Sequence, residues 1–165
     1  MMKKTIYKTL IMLLFLISFN SCDVVEDSEI GSTLVVEMSG DWYVKLLLDD
    51  LDKGGGFQKI STYNTASDDG KELWIDDRGH LWQFKAKAIA NTDNLTFSGN
   101  DLASNYDGYE ITVTMTNGKV TKGDVITEEG NPTDGISFDI VFSDDPNNTY
   151  NVIGYKRTGF AEDEH

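Results

Sequence analysis

Apolar and polar side chains alternate with a period of two along most of the chain from Leu34 onward, and no comparable stretch carries the 3.6-residue period of an amphipathic helix. The clearest instance places His80, Trp82, Phe84, Ala86 and Ala88 on one face and Gln83, Lys85 and Lys87 on the other. One face of such a strand is buried and the opposite face is wet. A chain patterned this way folds as sheets, and it must dispose of its sheet edges by closing or stacking them.

Turn chemistry cuts the pattern into short pieces. Strands are predicted around Leu34 to Met38, Trp42 to Leu48, Phe57 to Thr65, Glu72 to Ile75, His80 to Ala88, Leu95 to Ser98, Tyr109 to Thr116, Ile136 to Phe142 and Tyr150 to Thr158. Asn117-Gly118 reads as a hairpin turn, because both residues tolerate positive φ, with Val120 and Val125 to Thr127 as its return strand. Pro132 and Gly135 are expected to bound a loop, and Asp144-Asp145-Pro146-Asn147-Asn148 to turn the chain again. Eight to ten strands joined by short antiparallel links can close as a barrel or stack as a sandwich. The absence of a long crossover favours an all-β, antiparallel up-and-down barrel of about eight strands.

The first 21 residues follow different rules. Lys3, Lys4 and Lys8 precede an uncharged apolar run from Leu10 to Ile17, the layout of a cleaved signal peptide and too short to span a bilayer about 30 Å thick. Ser18-Phe19-Asn20-Ser21-Cys22 follows directly, and Cys22 is the one cysteine of the chain. A lone cysteine placed there is expected to carry a lipid after cleavage, giving a signal peptide over residues 1–21, an acidic tether over 22–32 and a single barrel domain over 33–165. Loss of 21 of the 165 residues leaves 144, with 28 acidic and 11 basic side chains and a net charge of −17. Such a surface repels phosphate backbones, so nucleic acid is not an expected partner. The expected partner is the membrane itself, through the lipid on Cys22.

Gly40-Asp41-Trp42 on an early strand and Arg157 on the last resemble the calycin or lipocalin signature, in which a tryptophan closes one barrel end and an arginine packs over it. The blocks Gly40-Asp41-Trp42-Tyr43-Val44, Thr62-Tyr63-Asn64-Thr65-Ala66, Leu73-Trp74-Ile75-Asp76-Asp77 and Trp82-Gln83-Phe84-Lys85-Ala86-Lys87 resemble the family called lipid-binding putative hydrolases, calycin-like lipoproteins of Gram-negative bacteria. The resemblance implies a calycin-like (lipocalin-like) barrel at the outer membrane. The acids after Cys22 resemble a surface-export signal, which implies exposure on the cell surface. No catalytic residues carry over from the family.

Chemistry is sparse. Only His80 and His165 are available as bases, no G-x-S-x-G is present, and one usable histidine argues against zinc. No cofactor is expected; calcium is the one ion that the acidic turns at Asp50-Leu51-Asp52, Asp76-Asp77 and Asp144-Asp145 would suit. Trp82, Phe84, Tyr109, Phe138 and Phe142 supply the predicted inner face and are the candidate lining of a site for a small apolar or amphipathic, lipid-like ligand, while Ala86, Ala88 and Ala90 would leave it room. A lipid or glycan hydrolase built on His80 and a surface module with a packed core are the two alternatives.

Overall fold

The computed structural model describes residues 32–165. The expected signal peptide, Cys22 and the expected tether as far as residue 31 lie outside the described residues. Nine strands follow in order: β1 (Gly40–Leu48), β2 (Leu51–Asp52), β3 (Gln58–Asn64), β4 (Glu72–Asp76), β5 (Lys85–Asn91), β6 (Thr96–Ala103), β7 (Thr112–Ile126), β8 (Pro132–Phe142) and β9 (Asp145–Lys156). Each long strand pairs antiparallel with the next, and β1 pairs with β9 from Trp42↔Lys156 to Leu47↔Asn151. Eight strands therefore close an up-and-down barrel, with β2 a two-residue flap on the end of β1. Closure leaves the long strands no free edge to template aggregation.

Alternation decides what fills the barrel. Trp42, Val44 and Leu46 of β1, Leu73 and Ile75 of β4, Met115 of β7, Ile140 and Phe142 of β8 and Val152 of β9 all point inward and are buried. Fully burying each such side chain contributes about 1.5–3 kcal/mol. Ala86 and Ala88 also have no accessible surface, so the room that their small side chains leave is taken up by neighbours rather than by a void. Phe97 and Phe138 meet edge to face at 5.5 Å within this interior.

Four strand expectations change. Residues 34–38 make a turn and a single 3-10 turn (Val36–Met38) in place of a strand, with Val35 and Met38 buried at one barrel end. The strand expected from His80 begins only at Lys85, and residues 77–84 form a loop. Asn117-Gly118 is no hairpin but a bulge in the middle of the 15-residue β7, where the register with β8 slips between Thr116 and Lys119. Asn117 takes φ +55°, and a Cβ on Gly118 would lie 2.3 Å from the Phe97 carbonyl oxygen, so the same residue types that make turns also make this close approach. Pro132 and Gly135 lie within β8, where proline is tolerated as the first residue of a strand. The real hairpin turn between β7 and β8 is Thr127–Asn131, and Ser143-Asp144 alone joins β8 to β9.

Candidate functional site

Each barrel end is closed by a tryptophan, and the two closures differ. At the end where the described chain enters, Trp42 has no accessible surface. Its indole N–H donates to Thr62 Oγ1 at 2.8 Å, and that hydroxyl donates onward to the Met38 carbonyl at 2.6 Å. The cation over the ring is Lys156, its Nζ 5.6 Å from the centroid. The resemblance assigned that place to Arg157, but alternation along β9 turns residue 156 to the Trp42 side and residue 157 away, where Arg157 donates from Nε to Glu164.

The opposite end is closed by the loop between β4 and β5, and this loop is built on Asp77. The Asp77 side chain is fully buried and accepts four backbone N–H groups: Gly79 at 2.7 Å and Phe84 at 3.0 Å on Oδ1, Trp82 at 2.7 Å and Leu81 at 3.2 Å on Oδ2. With its N–H groups satisfied from one carboxylate, the loop needs no sheet partner, which is why the alternating pattern around His80 fails to become strand. The loop reaches across the opening. Trp82 lies flat on Phe142, ring centroids 4.3 Å apart and planes 6° from parallel, and it tilts against Tyr150 at 5.2 Å.

Asp144, in the turn before β9, fastens the far side. It accepts from Trp82 Nε1 at 3.2 Å and from the Tyr109 hydroxyl. That hydrogen bond raises the Tyr109 phenol above its ordinary value. Burial, then the hydrogen bond to Asp145, pushes the neighbouring Tyr150 phenol to about 12. Leu81, Trp82, Gln83 and Tyr109 line a surface recess of about 380 Å³ over this closure. A larger recess of about 510 Å³ beside Ile89 and Phe97 and one of about 360 Å³ beside Trp74 lie on the outer wall, apart from the Trp82 closure.

The predicted lining residues thus divide. Phe84, Phe138 and Phe142 are 0%, 1% and 0% exposed, so they are packing within a filled interior and face no cavity. Trp82 and Tyr109 are half-buried at the closure, the only two of the five that a ligand can reach without rearrangement. His80 sits exposed on the loop, tied by its backbone N–H to the Asp77 carbonyl, and its ring makes no hydrogen bond to any described residue. Asp52 spends its carboxylate on the N–H groups of Gly54, Gly55 and Gly56. Among the described residues no three His, Cys, Asp or Glu side chains converge as a metal site would require.

Asp77 was legible only as part of a turn, Asp76-Asp77-Arg78-Gly79. An aspartate two residues before a glycine is the signal of a side chain that caps its own loop.

A sequence model of the family described as lipid-binding putative hydrolase matches residues 27–161, nearly the whole of the described barrel. The chain belongs to this family. No curated protein matches it. For a lipid-binding putative hydrolase, the filled interior and the unpartnered ring of His80 direct attention from the inside of the barrel to the Trp82 closure.

Proposed function

We propose that the protein is an envelope-anchored lipoprotein that binds a small apolar or amphipathic, lipid-like ligand at the Trp82 end of its barrel, without catalysis. One observation carries this reading: an aromatic lid, Trp82 on Phe142, lies directly over an apolar interior and is held on its outer side by a single exposed carboxylate, Asp144. An acyl chain gains burial by sliding against Trp82, Leu81 and Phe142. A polar head meets Tyr109, Gln83 and Asp144. The acid at the rim and the net charge of the chain favour neutral or zwitterionic heads over anionic ones.

Anchoring through Cys22 is supported by the basic and apolar leader and the small residues before the cysteine. The tether over residues 22–32 reaches about 38 Å when extended, and the described chain enters at the Trp42 end. That reach leaves the Trp82 end free to face away from the outer membrane, toward the cell exterior if the acidic stretch after Cys22 directs export.

Titration of the mature full chain with lysophosphatidylcholine below its micellar concentration tests the binding claim, read by tryptophan emission and native mass spectrometry. A saturable blue shift with one bound lipid, abolished in Trp82→Ala and retained in Trp74→Phe, is the expected result. Identical responses in both variants, or no bound mass, would refute the site. Fatty-acid labelling of the expressed chain, lost in Cys22→Ala, tests the anchor.

A further inference from the structure

The outer wall of the barrel carries an aromatic group that the lipid reading does not use. Tyr43 of β1 and Tyr155 of β9 are cross-strand partners, and Phe57 precedes β3 beside them. Outward-facing tyrosines in a barrel ordinarily meet water. These two are 3% and 4% exposed, because residues 158–165 fold back over them as a strap.

Two side chains of the strap make the contact. The His165 ring stacks on Phe57 at 4.5 Å and 26°, meets Tyr43 edge-on at 4.9 Å, and shares a hydrogen bond between Nε2 and the Tyr155 hydroxyl. Glu164 accepts from the Tyr43 hydroxyl and from Arg157 Nε, both at 2.6 Å. Lys45 Nζ lies 4.3 Å from the Phe57 centroid, and the Lys59 charge also reaches Glu164. Three rings and three cations therefore converge on one patch of a strongly acidic chain. The Tyr43 and Arg157 hydrogen bonds hold the Glu164 carboxyl below its ordinary range, so the docked strap is the ionised strap.

What the strap lacks is apolar anchorage. Its one large apolar side chain, Phe160, is 54% exposed, and its one buried residue is Asp163, held by Asn131 Nδ2 at 3.0 Å and Thr158 Oγ1 at 2.6 Å. A segment docked by polar contacts and ring stacking, with little buried apolar area, lies at the low end of local stability. The wall beneath it is shaped and charged for an occupant, yet the present occupant brings no large apolar side chain to bury.

We propose that Tyr43, Phe57 and Tyr155, with Lys45, Lys59 and Arg157, form a binding cradle for acidic peptide segments that carry a planar ring beside a carboxylate, and that residues 158–165 are its occupant in cis. A short tether gives the strap an effective concentration in the millimolar range. A partner segment therefore gains the cradle only when it is abundant locally or makes further contacts.

The test uses a fluorescein-labelled peptide of the strap sequence, Gly-Phe-Ala-Glu-Asp-Glu-His, and fluorescence anisotropy with the mature full chain. The double variant Glu164→Ala, His165→Ala keeps the chain length but removes the two side chains through which the strap occupies the cradle. This variant is expected to bind the peptide at least tenfold more tightly than the unmodified chain. Adding Arg157→Ala, an exposed change that leaves the barrel wall intact, is expected to weaken binding about tenfold. Equal affinity for the unmodified and double-variant chains, no binding to the double variant, or equal binding of a peptide with Ala-Ala in place of Glu-His would overturn the proposal.

Discussion

The two ends of the barrel use the same residue type under opposite conditions. Trp42 is sealed in, its N–H paired to a hydroxyl that is itself paired to the Met38 carbonyl, so every polar group in the closure has a partner out of reach of water. Trp82 is half in solvent, and its N–H points at an exposed aspartate at 3.2 and 3.3 Å. Buried polar groups are costly to unpair and exposed ones are cheap, because water replaces the lost partner only at the surface. One end is a structural plug and the other a closure that a ligand can afford to disturb.

The largest expected effect tests the sealed end. Trp42→Ala should cost about 4 kcal/mol in denaturant unfolding, the range for deleting a fully buried aromatic. A cost near 1 kcal/mol would erase the distinction between the ends. Next comes the loop that carries Trp82: Asp77→Ala strands four N–H groups and should cost about 3 kcal/mol, with fast hydrogen exchange confined to residues 79–84. Thr62→Val removes one hydroxyl that both accepts from Trp42 and donates to Met38, and about 1.5 kcal/mol is expected in urea unfolding. Trp82→Ala should cost only about 1 kcal/mol, since the stacked ring is already half exposed. A larger loss than that for Thr62→Val would make the second end structural as well.

The remaining effect is electrostatic, confined to alkaline pH, and belongs to the Trp82 end. Folded Tyr150 keeps its proton to about 12, whereas unfolded it releases the proton near 10. Its contribution is therefore complete below pH 10 and is lost as pH rises through 12. Unfolding midpoints measured from pH 9 to pH 12 should fall, and Tyr150→Phe should flatten that part of the profile.

The barrel was legible because its signal is redundant. The barrel strands carry alternating inward residues, and a misjudged boundary in one does not move the others. The failures at Asp77 and Asn117-Gly118 arise where single residues dictate local backbone geometry, which a pattern of apolar and polar letters does not record. Asp77 converts an alternating stretch into a loop, and Asn117-Gly118 places a positive φ inside a strand where the same dipeptide more often ends one. The site was half legible for a related reason. Periodicity identified Phe84, Phe138 and Phe142 as inward, but whether inward rings enclose space or fill it depends on how strands across the barrel interdigitate. His165 owes its place to a fold-back that no local signal announces.

The bulge at Asn117-Gly118 acts on β7 as a phase slip acts on a grating. Before it the inward positions are odd-numbered, Val113 and Met115; after it they are even-numbered, Gly118 and Val120. A single strand of 15 residues thus runs two out-of-step codes, each correct for its own half of the barrel. Were β7 to pair without the bulge, strict alternation from Met115 would turn Lys119 and Thr121 toward the interior and Val120 out. Regularity of sequence and correctness of structure part company at this point, because the one extra residue is what keeps Val120 inside.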